Sequence, residues 1–139
     1  MFGFSLKDSR GIDQVIFDIA EHHRSRDHRR LFELLRGREL FTAIASSSVP
    51  IEHGRQLVVG SGDDIQLRIG TLPNGLVCAV FYVDRSDSRL GAQYAALNAS
   101  EAFDMVSKTG IDALLIQNSQ NSWVAFPRQE LPAIRAKYL

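Results

Sequence analysis

The sequence of 139 residues contains one cysteine, one tryptophan and four prolines. A single cysteine excludes an internal disulfide, and the position of Cys78 between Val77 and Ala79 fits a protein kept in a reducing compartment. No apolar run approaches the roughly 18 residues that a membrane span requires. The N-terminus lacks the basic and apolar regions of a secretory signal. We therefore expect a cytoplasmic protein that does not enter a membrane.

The chain also lacks an excess of either charge, because 16 basic residues stand against 16 acidic ones. A neutral chain has no global field to attract nucleic acid or an anionic membrane, so any binding must be local. The length fits one domain that can bury a core without disulfides or metals.

Two apolar arms around a turn form the most regular part of the sequence, and we expect this hairpin at the centre of a sheet. In the first arm, residues 65–72, apolar and polar residues alternate, which predicts one buried face. Residues 73–75, Pro-Asn-Gly, have the chemistry of a turn. The second arm, residues 76–83, is apolar at every position, so both of its faces must be covered. The residues that share the predicted buried face of the first arm are Ile65, Leu67 and Ile69.

The other elements are predicted from periodicity and stop signals. One amphipathic helix runs from Ser9, its predicted cap, to about His23, and a second covers residues 31–35 and ends near Gly37. A third helix is predicted to begin with Ser100 as its cap and to stop at Gly110. The pattern gives residues 94–97 no definite state. Further strands are predicted at 39–45, 57–59, 113–116 and 123–126, and a last helix packs Leu131, Ile134 and Tyr138.

Strands and helices are gathered into runs instead of alternating strictly, which favours an α+β domain. We expect a single domain over residues 1–139 with a mixed or antiparallel sheet of about five to six strands. Two helices in residues 1–38 and two in the C-terminal half of residues 39–139 would pack on this sheet.

Several elements of residues 72–139 have the character of one known family. An apolar strand ends in Val80-Phe81-Tyr82-Val83, a helix starts with Ser100-Glu101-Ala102-Phe103, and a strand runs into the bend Ile116-Gln117-Asn118-Ser119 before a closing amphipathic helix. This half of the chain resembles the SseB N-terminal domain family. The resemblance implies a small bacterial cytoplasmic module, linked by name to secretion, with no established enzymatic role and no catalytic residues to carry over.

The usual signatures of catalysis and cofactor binding fail in detail. Gly60-Ser61-Gly62 lacks the third glycine and the following helix of a dinucleotide loop. The loop that begins at Asp84 has the oxygen density of a calcium loop but the wrong register. Cys78 is expected in the sheet interior, where a thiol is inert. We therefore expect no cofactor, no metal and no catalytic residue.

Surface recognition is the function that remains, and we expect a non-enzymatic binding module with a protein partner, such as an adaptor, a regulator or an immunity-type inhibitor. Three surfaces are candidates: the polar loop 84–91, the bend 117–122 with the tryptophan that follows it, and the arginine-rich stretch 24–30. Trp123 suits a binding surface, although a lone tryptophan is more often core. The candidate partner-binding residues are Arg26, Arg29, Arg30, Asp84, Arg85, Asp87, Asn118, Gln120 and Trp123.

Two other functions stay open, and so does self-association of the chain. An enzyme or small-ligand site could assemble from the dispersed residues His53, Asp63, Asp64 and Asp84. Nucleic acid could bind the arginines of stretch 24–30. Acidic residues dilute that stretch and no aromatic residue is interleaved from 22 to 30, so the sequence favours a solvated helix junction there over nucleic-acid binding.

Overall fold

The computed structural model describes residues 8–47, 56–58, 65–67, 69–91 and 93–139. None of the helices in these ranges is long and apolar enough to cross a membrane. The helices are α1 (Ile12–His22), α2 (Ser25–Leu35), α3 (Ala99–Ser107) and α4 (Leu131–Tyr138). The strands are β1 (Glu39–Ser47), β2 (Gln56–Val58), β3 (Ile65–Leu67), β4 (Ile69–Thr71), β5 (Val77–Tyr82), β6 (Tyr94–Asn98), β7 (Ala113–Gln117) and β8 (Trp123–Pro127).

The strands form one mixed sheet in the order β2-β6-β1-β5-β7-β8, with β3 beside β1 and β4 beside β5. The pairs β5–β7 and β2–β6 are parallel, and the other neighbours are antiparallel. The predicted α+β class is confirmed, with two helices before the sheet and two in the C-terminal half. Because β5 and β7 are parallel, their carboxyl ends lie at the same end of the sheet.

The central position of the apolar second arm is also confirmed. Strand β5 lies between β1 and β7. Ala79 and Phe81 on one side of the strand are fully buried, and Cys78 on the other is only 1% exposed. A strand whose two faces are both apolar has no side to turn to water, which is why this segment takes the middle of the sheet.

All four helices contribute to the large core on one face of the sheet, which the even-numbered residues of β8 also line. The apolar spacing of α1 places Val15, Ile16 and Ile19 in this core, as predicted. The opposite face carries two smaller apolar clusters, one around Phe41 and one around Cys78. The odd-numbered residues of β8 belong to this second face, since side chains alternate along a strand.

The first arm of the predicted hairpin does not form one strand. Its start pairs with β1 as β3, and its end pairs with β5 as β4. Ile69 is 57% exposed, so the predicted shared buried face is wrong at this residue. The side chains of Ile65 and Leu67 lie outside the described residues. Alternation predicted the extended backbone correctly but could not show that the arm is divided between two neighbours.

Two predicted helix caps are wrong, and local side chains explain both. Helix α1 begins after Gly11, because the Asp8 carboxylate accepts a hydrogen bond from the Arg10 backbone N–H at 3.1 Å and holds a turn where Ser9 was expected to cap. Helix α3 is capped by Asn98, whose side chain accepts from the Ser100 N–H at 3.0 Å. Asparagine and serine cap equally well, so the choice depended on where β6 ends.

The remaining helix ends follow the prediction in part. Gly37 has a φ of +74° directly after the C-cap of α2, as a left-handed stop requires. Helix α3 ends earlier than predicted, with Lys108 as its C-cap in place of a stop at Gly110. Pro132 lies in the first turn of α4, where its missing N–H costs nothing.

Candidate partner-binding site

The loop 84–91 and the bend 117–122 lie side by side, because they follow the parallel strands β5 and β7. One side chain from the loop connects them. The guanidinium of Arg89 donates from Nη1 to Oδ1 of Asn121 at 2.7 Å and from Nη2 to the backbone carbonyl of Asn118 at 2.7 Å. Two surfaces that the sequence predicted separately therefore form one continuous surface, which we call the loop–bend surface.

Asp87 holds Arg89 in the orientation that this connection needs. Its carboxylate accepts hydrogen bonds from Nε of Arg89 at 2.8 Å and from Nη2 at 2.6 Å, and it also accepts from the Arg89 backbone N–H. These bonds lower the pKa of Asp87 and raise that of Arg89. The Arg89 guanidinium also lies over the Tyr82 ring, 4.9 Å from its centroid. Asp87, a predicted partner-binding residue, is thus occupied within the protein.

Asp84 and Arg85, the other two loop residues predicted to bind a partner, are exposed. The carboxylate of Asp84 accepts from the backbone N–H and the hydroxyl of Ser86, and these bonds lower the pKa of Asp84. Arg85 lies over the Phe41 ring and 3.6 Å from the Glu39 carboxylate, in a pair that is open to solvent. Both side chains remain accessible to a partner.

Asn118 anchors the bend to the first turn of α1. Its amide nitrogen donates to the backbone carbonyl of Asp13 at 2.9 Å, and its amide oxygen accepts from the N–H groups of Gln120 and Ser122. The Asp13 carboxylate in turn accepts from the backbone N–H and hydroxyl of Ser119. Asn118 is fully buried, so its predicted contact with a partner is wrong and its role is to hold the bend. Gln120 is exposed.

Trp123 leaves the bend as the first residue of β8, and its side chain is 42% exposed. The common placement of a lone tryptophan in the core therefore does not apply, and the use of Trp123 in binding stays a prediction. The reason for the exposure is the alternation of side chains along the strand. Val124 and Phe126 point to the helices and are buried, so Trp123 and Ala125 must point to the opposite face.

A groove of about 480 Å³ runs along β8 beside Trp123. One wall is formed by β8 and the end of the bend, and the other by the end of α1 and the start of α2. His23, which joins the two helices in a left-handed conformation with a φ of 53°, lines the groove together with His28. The ring of His28 meets the ring of Phe126 edge-on at 6.2 Å. We call this cavity the β8 groove.

The arginine-rich stretch forms the first turns of α2, and some of its side chains belong to an internal network of ion pairs and hydrogen bonds. Asp27 is fully buried and accepts from Arg10 at 2.8 Å and from Arg24 at 2.9 Å. Burial alone would raise the pKa of Asp27, but these two guanidinium groups outweigh it and hold the pKa below its usual value. Arg30 donates to Glu33 and to the backbone carbonyl of Arg10.

Of the three predicted arginines, only Arg26 and Arg29 are exposed, and neither makes an ion pair with another described residue. Two such charges make a weak phosphate-binding surface, since affinity for nucleic acid grows with the number of phosphates neutralised. The helix therefore gives little support to nucleic-acid binding.

The dispersed ligand site is represented by one residue only. Asp84 lies on the loop–bend surface, whereas His53, Asp63 and Asp64 lie outside the described residues. The same holds for the Gly60-Ser61-Gly62 sequence. Within the described ranges, no group of three or more histidine, cysteine, aspartate or glutamate side chains could hold a metal ion. Cys78 is buried. Its burial, and to a smaller extent the negative charge of the nearby Asp112 carboxylate, raises the pKa of its thiol.

Sequence reasoning missed the β8 groove, because its walls are about a hundred residues apart along the chain. The local signals at His23 and His28 predicted only a charged helix junction. No family model, curated protein or solved structure matches this chain.

Proposed function

We propose that the protein is a non-enzymatic binding module that recognises a protein partner through Trp123, the β8 groove and the adjoining loop–bend surface. The observation that carries this proposal is the 42% exposure of the single tryptophan beside a groove of about 480 Å³. Tryptophan is the residue most enriched among those that dominate binding energy at protein interfaces.

The frame around Trp123 supports the same proposal. Arg89 connects loop and bend, and Asn118 holds the bend to α1 through hydrogen bonds of 2.7 to 2.9 Å. A surface whose loops are already ordered loses less conformational entropy when it binds. This order therefore favours affinity for a partner.

The cellular role that fits such a module is that of an adaptor, a regulator or an immunity-type protein. Membership of the SseB-like family, suggested by residues 72–139, stays a prediction. A small-ligand site near Asp84 is less well supported, since that carboxylate lies exposed on the loop with its bonds to Ser86.

The test is capture of partners from a lysate of the native cell by the wild-type chain and by the variant Trp123→Ala. Phe17→Ala is the matched control, because Phe17 is an aromatic residue of similar exposure, 40%, that does not line the groove. Partners identified by mass spectrometry are then measured by calorimetry. We expect Trp123→Ala to weaken binding by about thirtyfold, near 2 kcal/mol, and Phe17→Ala to leave it unchanged. Equal affinity of both variants would refute the proposed surface.

A further inference from the structure

A second cavity, of about 350 Å³, adjoins the loop–bend surface at a place where three segments meet. These segments are the first turn of α1, the start of β1 with the residue before it, and the chain that leaves β5. The volume lies within the range of pockets that hold small groups. Four charged and three apolar residues line it, namely Arg38, Arg85, Asp13 and Asp84 with Ile12, Phe41 and Val83. We call this cavity the arginine pocket.

The two guanidinium groups of the arginine pocket have little to bind within the protein. Arg38 is partly buried, and its guanidinium makes no hydrogen bond or ion pair with another described residue. Arg85 forms one ion pair, with Glu39 at 3.6 Å, in which the two side chains are 59% and 49% exposed. A pair so exposed contributes little, so the guanidinium can take another acceptor at little cost. Each guanidinium is a planar fork of donors that matches a carboxylate.

The two carboxylates of the pocket are more fully engaged. Asp13 accepts from Ser119 with both of its oxygens. Asp84 accepts both of its bonds from Ser86 with Oδ1, so its Oδ2 makes no bond with a described residue. The bonds from Ser86 chiefly lower the pKa of Asp84, and the charge of Arg38 contributes to a smaller extent, which places Arg38 near this carboxylate.

The charges of the lining therefore limit the chemistry of an occupant. Two arginines and two aspartates make the lining neutral as a whole. The aspartates would repel an anion that carries several charges, such as a phosphate. A single carboxylate with an N–H donor beside it finds a partner for each group, because the guanidinium groups accept the carboxylate and Oδ2 of Asp84 accepts the N–H.

From this arrangement we infer that the arginine pocket binds the C-terminal residue of the partner, with its carboxylate between Arg38 and Arg85 and its main-chain N–H on Oδ2 of Asp84. The inference rests on the proposed function and specifies which part of the partner is recognised. A terminal residue carries its carboxylate and its N–H on the same Cα, whereas a glutamate side chain separates them by a flexible methylene chain. Capture of a terminal carboxylate is a recurring mode of peptide recognition.

The probe is a short synthetic peptide that is acetylated at its N-terminus, has no charged side chain and ends in valine with a free carboxylate. Its control has the same sequence and a C-terminal amide, which removes the only charge. A third peptide also ends in an amide but has glutamate in place of the valine, so its carboxylate belongs to a side chain. In calorimetry we expect a Kd of about 0.1 mM for the first peptide and binding weaker by about tenfold or more for the other two.

In the protein, Arg38→Met and Arg85→Met each remove one guanidinium and keep a long side chain. We expect each variant to weaken binding of the free-acid peptide about tenfold. Arg26→Met is the matched control, because Arg26 is exposed and does not line the pocket. Thermal melts show whether each variant is folded. If Arg38→Met unfolds, Arg85→Met still decides the question, since the pair that it removes is exposed.

Equal binding of the free acid and the amide, or no binding of the free acid at about 2 mM, would overturn the inference. Equal binding of the glutamate peptide would also overturn it, since the occupant would then be an acidic side chain. If the peptides fail while a cellular partner is still captured in a Trp123-dependent way, the proposed function stands and only the terminal residue is refuted. If the free acid binds in an Arg38-dependent way while Trp123→Ala captures every partner like the wild type, the arginine pocket stands and the Trp123 surface fails.

Discussion

Replacing Arg10 with methionine should destabilise the protein through the buried carboxylate of Asp27. The Arg10 guanidinium donates to Asp18 and to Asp27 at 2.8 Å each, and it also pairs with Asp8. The Asp27 side chain is fully buried, and the one other ion pair that it makes with a described residue is with Arg24, which is 40% exposed. The variant therefore leaves the Asp27 carboxylate buried with one of these two guanidinium partners instead of both.

Removing one partner of a buried ion pair costs about 3–5 kcal/mol. The remaining Arg24 bond and the 26% exposure of Arg10 reduce this, so we expect a loss of about 2–4 kcal/mol. For a chain of this length each kcal/mol lowers Tm by roughly 3 °C, which predicts a fall of roughly 6–12 °C. This is a large share of the 5–15 kcal/mol that holds a typical domain together.

The measurement is urea unfolding at pH 7 and at about pH 5, where model carboxyl groups are still ionised. In the wild type the pKa values of Asp18 and Asp27 are lowered, so their stabilisation is present above the unfolded pKa and is lost as pH falls through the folded pKa. In Arg10→Met the burial of Asp27 favours its neutral form, so acidification relieves the penalty. The difference between variant and wild type should therefore be smaller at pH 5 than at pH 7.

The control is Arg26→Met on α2, the helix that carries Asp27; the Arg26 side chain is exposed and makes no ion pair with the described residues. It should change the free energy of unfolding by less than about 0.5 kcal/mol. If Arg10→Met is equally mild, or if its penalty grows on acidification, the account of the Arg10 network is wrong.

Three further predictions concern the site and the core. Arg89→Ala should lower the free energy of unfolding by about 2–3 kcal/mol, because the nearly buried Asp87 loses its partner. It should also raise the rates of amide hydrogen exchange in the loop and the bend together. Arg85→Ala, in an exposed pair, should do neither. Asn118→Ala should lower the free energy of unfolding by about 3 kcal/mol in thermal melts, since a fully buried side chain loses its three hydrogen bonds to the backbone, each worth about 1 kcal/mol. Cys78 should react with a thiol reagent only after unfolding, because burial both hides the thiol and raises its pKa; rapid labelling of the native protein would contradict this.

Part of the fold could be predicted because its signals are local. Apolar residues on both sides of residues 76–83 require a covered strand wherever the chain turns, and the spacing of α1 requires one buried face. The positive φ that Gly37 adopts is a property of glycine itself. Such signals predicted the α+β class and the order of the main elements.

The state of residues 94–97 was not predicted, since strand β6 depends on its partners. Ala95 and Ala96 have little strand preference of their own and pair with β1 on one side and β2 on the other. The stretch 24–30 was expected to be a solvated junction, yet it is helical. Its Asp27 is buried because Arg10, seventeen residues away, neutralises it.

The candidate site shows the same division. Residue types alone identified the polar loop, the polar bend and the tryptophan, because each property belongs to a single short segment. The tertiary structure decided three other features. These are the connection of loop and bend through Arg89, the burial of Asn118, and the groove between β8 and the α1–α2 junction. These features join segments that are 29 to 106 residues apart, and no pattern within one segment contains the partner that determines its role.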